Sequence, residues 1–141
     1  MTVAGIADAE LARFNATITK FGKTLLPQQL VDFHQKVVLQ VLSGVVEKTP
    51  VDTGRAKGGW QVTINFIDAG KPTDVKDRSG GATIAAGVAA LANLTPFSVV
   101  YISNNVEYII PLEEGHSTQA PNGMLALTLE EVRQQFVGVS P

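Results

Sequence analysis

The sequence predicts an α+β fold: a small, mainly antiparallel sheet packed by a long N-terminal helix and further helices, with long assembly loops between them. Three observations carry this. Apolar residues recur every three or four positions through 8–48 and again near residue 130, the spacing of one helix face. After Gly58-Gly59 they alternate every second residue, the spacing of a half-buried strand. The order helix, helix, strand, loop, helix, strand, loop, helix places the few strands among helices rather than in a regular βαβ series.

Residues 8 to 22 are expected to be helical, because Leu11, Phe14, Ile18 and Phe21 share one face and Gly22 supplies a stop. Pro27 suits a first helical turn, where its missing N–H has no helical partner. A longer helix is expected over about residues 28 to 48, with Leu30, Phe33, Val37, Val41 and Val45 as its stripe and Val38 and Leu42 widening it. Its many valines lower intrinsic helix preference, so packing must hold it. Thr49-Pro50 ends it, since the residue before proline is pushed out of the α region.

In WQVTINFI, Trp60, Val62, Ile64 and Phe66 alternate with Gln61, Thr63 and Asn65. Residues 68–81, DAGKPTDVKDRSGG, read as a long exposed loop fixed by a partner. Thr83 is placed to cap a small-residue helix, IAAGVAALANL, that ends before Thr95-Pro96. FSVVYISNN reads as a second strand, with Asn104-Asn105 as turn formers after it that tolerate left-handed φ. VEYIIPLEEG reads as a helical turn or an irregular segment interrupted by Pro111, and residues 116–123, HSTQAPNG, as another exposed loop. In MLALTLEEVRQQF, Leu125, Leu129, Val132 and Phe136 face one side, and Thr128 with Glu131 spells a capping box if the helix begins there. The whole is one domain, 1–141, in which 1–26 form the N-terminal helix and linker. Two strands are too few for an isolated sheet. Either the loops contain further strands or neighbouring subunits complete it.

The 141 residues suffice for one core, and 45% apolar with 17% charged residues is a globular balance. A net charge of −2 argues against a surface that grips many phosphates. With no cysteine, disulfides, thiolate catalysis and cysteine metal sites are excluded. His34 and His116 are the only histidines, so a zinc site would draw most of its ligands from carboxylates. No apolar run approaches ~18 residues, so no membrane span is expected. MTVAGIADAE lacks the basic-then-apolar order of a signal peptide, which predicts a cytoplasmically made protein.

Asp52-Thr53-Gly54 is spelled like the catalytic tripeptide of an aspartic protease. That chemistry needs a hydrophobic strand before the aspartate and a second copy or symmetric partner to share one proton. Here a helical pattern and Pro50 precede Asp52, Arg55 follows, and no second copy exists in the chain. A structural turn over Pro50, Asp52, Thr53 and Gly54 is therefore expected, with side-chain oxygens accepting backbone N–H bonds and Gly54 supplying an unusual φ. Glu113-Glu114 beside His116 is the densest ionisable cluster, yet adjacent carboxylates point to different sides and no HExxH spacing is present. It reads as a solvated helix end with acceptors near a partner. His34, next to Phe33, reads as a boundary histidine on the long helix. RSGGAT (78–83) has glycines but not the Lys-Ser/Thr ending of a phosphate loop. Trp60 is expected in the core, and Tyr101 and Tyr108 are weighed as core or interface anchors. No enzyme, metal or cofactor is expected.

Several stretches together resemble a known family. TPVDTGRAKGGW follows a long helix, GKPTDV leads to TIAAGVAAL, and VYISNNVEYIIPLEEGHSTQAPNGMLALTLEEV follows. This resembles the head–tail connector or tail-completion proteins of tailed phages, also labelled neck or minor tail-component proteins of lambda-like long-tailed phages. The carrying residues are Pro50 to Gly54, Trp60, Ile102 to Asn105, Tyr108, Leu112-Glu113, Gly115 and Gln119 to Met124, within a resemblance over roughly 28–136. Ile109-Ile110-Pro111 departs from it, since relatives often carry smaller or more polar residues there. The resemblance implies a virion structural protein: a homo-oligomeric ring, expected to be hexameric, that completes or terminates the tail in the neck. It would bind the tail tube protein and the head connector or stopper proteins, after assembly in the host cytoplasm. DNA would pass its channel without sequence-specific binding, and no membrane is involved. Subunit or partner contacts are expected at Arg55, Lys57, Lys71, Lys76, Arg78, Tyr108, Glu113, Glu114, His116 and Gln119. The alternatives are a head-side connector or stopper and, from another class, an aspartic-type hydrolase using Asp52, which Asp52→Asn would inactivate.

Overall fold

The structure, a computed structural model, describes residues 8–68, 70 and 74–138. Its centre is α2 (Pro27–Lys48), about 33 Å long at the helical rise per residue. Pro27 opens the first turn, and the Leu26 N–H donates to the Gln29 side chain at 2.9 Å. Thr49 ends the helix in an extended conformation (φ −70°, ψ 127°), the conformation Pro50 imposes on its predecessor. The valine-rich sequence is held because packing surrounds it. Val37 and Val41 form one flank, against Phe14 of α1 (Asp8–Gly22) and Leu129, Val132 and Phe136 in and after α6 (Leu125–Gln134). Val31 and Val38 form the other, against Leu91 and Leu94. Leu42, Val45 and Val46, fully buried, meet Trp60, Ile109 and Met124. Phe21, Phe33 and Phe136 close the first flank, with ring centroids 4.9–5.4 Å apart.

β1 (Trp60–Ile64) and β2 (Val100–Asn104) pair antiparallel, Trp60 opposite Asn104 and Ile64 opposite Val100. Val62, Ile64, Val100 and Ile102 share the face that packs on α2 and α4 (Gly81–Leu91). The α+β expectation therefore holds, with two strands among the described residues. Packing on two helices substitutes for the further strands an isolated sheet would need. Gly87 lies where α4 crosses α2: a Cβ there would overlap Leu42, so only glycine lets the helices approach this closely.

Several boundaries differ from expectation, each for a local reason. β1 stops at Ile64, because Asn65 turns to φ +66° and its side chain accepts the Val99 N–H at 2.9 Å. Phe66 consequently leaves the buried face and is 60% exposed. Asn104-Asn105 are not left-handed; among the described residues only Asn65 and Phe97 adopt positive φ without being glycine. A one-turn helix, α3 (Arg55–Gly58), stands where only a turn was expected. α4 begins two residues before Thr83, which lies inside the helix rather than capping it. Pro111 does not interrupt α5 (Ile109–Glu113), because it occupies the first turn, where a missing N–H has no helical partner. α6 begins at Leu125, so Thr128 is interior and its hydroxyl donates to the Met124 carbonyl at 2.7 Å instead of forming a capping box. Neither loop is wholly exposed: Asp77 and Gly80 are buried in 68–81, and Ala120 and Gly123 in 116–123. No described helix is long and apolar enough to cross a membrane.

Candidate functional site

The stretch after α2 is built from its backbone outward. The Thr49 hydroxyl donates to the Val45 carbonyl (2.5 Å) and accepts the Trp60 indole N–H (2.8 Å), which fixes the end of α2 to the start of β1. One residue beyond Pro50, the Gln119 side chain grips the Val51 backbone at both ends. Its Oε1 accepts the Val51 N–H (2.9 Å) and its Nε2 donates to the Val51 carbonyl (3.2 Å). The Asp52 carbonyl accepts from the Arg78 guanidinium, and the Thr53 hydroxyl accepts the Arg55 N–H at 3.3 Å. Gly54 has φ +90°, and its carbonyl accepts both the Gly58 N–H (2.9 Å) and the Asp77 N–H (3.0 Å). A Cβ at Gly54 would lie 2.7 Å from the Arg78 nitrogen and 2.9 Å from the Asp77 backbone. The turn expected over Pro50–Gly54 is present, and the end of the 74–80 segment rests directly on it.

Arg55 does not point free. Its guanidinium makes a bidentate pair with Glu107 (2.7 and 3.0 Å), and its Nε lies 3.4 Å from the Asp74 carboxylate. The hydrogen bonds to Glu107 raise the Arg55 pKa further and hold the Glu107 carboxyl below its ordinary value. Lys57 is buried at 8% exposure, its stem passing beneath Gly80, which corrects the expectation of a free cation facing a partner. Asn104 ties α3 to the sheet: its Nδ2 donates to the Ala56 carbonyl (2.9 Å) and its Oδ1 accepts the Val106 N–H (3.0 Å).

The Glu113-Glu114-His116 cluster is divided by the fold. Glu113 is buried at 4% exposure, and its carboxylate accepts the N–H groups of Met124, Leu125 and Ala126 at 2.8–3.1 Å. It caps α6 from a distant part of the chain, in place of the solvated, partner-facing role expected of it. Glu114 and His116 remain exposed. Asp77 performs the same service for α4. Its Oδ1 accepts the Gly80 N–H (3.0 Å), and its Oδ2 accepts the Thr83 N–H (2.8 Å) and hydroxyl (2.7 Å). The Thr83 hydroxyl bond, with the backbone bonds, holds the Asp77 carboxyl below its ordinary range.

Of the residues expected at an interface, Arg55, Lys57, Arg78, Glu113 and Gln119 are thus engaged within the chain. Lys76, Tyr108, Glu114 and His116 are exposed, and Lys71 lies outside the described residues. Sequence reasoning missed Thr49, Asp77 and Glu107. Asp77 had a signal, an aspartate three residues before a Gly-Gly that opens an apolar run; Glu107 had none.

The turn borders a cleft of about 170 Å³, walled by residues 50–56 together with Tyr108, Leu112, Ser117 and Gln119. Asp52 is exposed at its edge, no second carboxylate lines it, and no group of three His, Cys, Asp or Glu side chains fit to hold a metal exists among the described residues. The residues there build an architectural joint, in which backbone groups rather than reactive side chains are satisfied. Comparison with known protein families, curated proteins and solved structures finds no match to this chain.

Proposed function

We propose that this protein is a structural component of a tailed-phage neck: a ring-forming tail-completion or tail-terminator protein that joins the tail tube to the head connector. The observation that carries the reading is the resemblance of two stretches far apart in sequence, 50–60 and 102–124. What supports treating them as one signature is that they meet in space. Gln119, from the second stretch, brackets Val51 in the first, and Asn104 holds the carbonyl of Ala56. These bonds tie the segment after α2 to the loop that carries Gln119, and α3 to the sheet, through backbone groups rather than reactive side chains, as suits a protein whose work is assembly. The ring is homo-oligomeric, with DNA passing its channel and with contacts to tail and head proteins above and below. The experiment is head–tail joining in its absence: loss of expression leaves filled heads and uncompleted tails apart, whereas joined particles would refute the reading.

A further inference from the structure

Two adjoining clefts of about 800 and 490 Å³ lie away from the Pro50–Gly54 turn. They share Asn15, Ile18, His34 and Val37 and form one trough along α2, with α1 as one wall and residues 95–98 and the open end of the sheet as the other. From Leu30 to Val41 the trough runs about 16 Å. Its volume and its largely apolar lining with a few polar groups are those of a small-ligand site between helices.

The charges of the trough are one-sided. No aspartate or glutamate lines either cleft among the described residues, although the chain carries a net charge of −2. Lys20 and Lys23 stand at the Leu30 end, and neither pairs with a carboxylate among the described residues. Lys20 alone suits the last turn of α1, whose dipole it offsets; Lys23, beyond the helix, has no such role. His34, midway along, makes no hydrogen bond among the described residues. Burial holds its imidazole below its ordinary value, so it is an uncharged polar group at neutral pH.

Phe97 adds an independent observation. Its φ of +65° is costly for a bulky side chain, and its ring, at 83% exposure, recovers nothing by burial within the chain. That strained backbone holds the ring at the mouth of the larger cleft, where a molecule lying in the trough would cover it.

We infer that the trough binds a free single-chain amphiphile with an anionic head, a fatty carboxylate, its head at Lys20 and Lys23 and its chain running past Phe97 along Val37 and Val41. Cations confined to one end of an apolar trough suit one head group and one chain rather than the charged face of a bilayer. The site goes beyond the neck reading and does not depend on it.

Isothermal titration calorimetry of the purified full chain with sodium laurate, below its micellar concentration, tests this. Laurate binds one to a chain. Octanoate, four methylenes shorter, binds at least ~10-fold more weakly, because each methylene withdrawn from water adds affinity. Dodecyltrimethylammonium, a comparable chain with the opposite charge, also binds at least ~10-fold more weakly, and Lys20→Glu with Lys23→Glu removes that preference. Asn15→Trp, at an exposed position bordering both clefts, fills the trough and abolishes binding, with circular dichroism unchanged. Phe97→Gly relieves the left-handed strain, so stability to denaturant is equal or higher while laurate binds at least ~3-fold more weakly. No laurate binding, equal affinity for the two head groups, or binding untouched by Asn15→Trp would overturn the inference. So would capture by phosphatidylglycerol vesicles without binding of free laurate, which would make the surface a membrane contact. Self-association lost in Asn15→Trp, without laurate binding, would overturn it too and give the trough to a second copy.

Discussion

Gly54 shows at one residue how the turn works. Its φ of +90° favours glycine, and the space a Cβ would need is filled by the backbone of Asp77 and Arg78. Gly54→Ala is expected to cost about 2–4 kcal/mol in denaturant unfolding, combining strained φ with displacement of the 74–80 segment. A change under ~0.5 kcal/mol would show that the turn does not hold that segment. The role of Gly54 was legible in the sequence, because Pro, Asp, Thr and Gly in that order encode a turn through local chemistry alone. The fates of Arg55 and Lys57 were not. A charged residue after a turn reads as solvated, and only the tertiary fold reveals Glu107 52 residues away or the loop laid over Lys57.

At the scale of elements, long-range carboxylate caps replace the local ones the sequence spells. Glu113 accepts three backbone N–H groups at the start of α6, so Glu113→Ala is expected to lower stability by about 2–3 kcal/mol, measured by denaturant unfolding. Thr128→Val, which removes the capping-box spelling but not Glu113, is the control and should cost less. Asp77 adds a pH dependence. Its folded pKa lies below the ordinary value of 3.8, so the unfolded chain binds the proton more readily. The contribution is complete above that ordinary value and is lost as acid takes the pH down through the lower, folded pKa. Asp77→Asn should flatten that part of the acid unfolding curve, and an unchanged curve would contradict the role. α1 and α2 were legible from their three-and-four spacing over 15 and 22 residues. α3 is too short to show a period, the start of α4 was placed too late because Asp77 caps it from outside the helix, and the conditional capping box at Thr128 gave way to Glu113 at the start of α6.

At the scale of the molecule, the class of fold was legible because helical and strand periods alternate clearly along the chain. Which charges remain for partners was not, since ion pairs and distant caps are decided by tertiary proximity rather than by neighbours in sequence. In the proposed neck role, the Pro50–Gly54 joint holds each copy's helix and sheet in register. The most direct measurement is electron microscopy of particles made by the encoding phage without this protein. The account predicts DNA-filled heads lying separate from uncompleted tails, and restored joining when the protein is supplied. Heads and tails that join normally in its absence would contradict it.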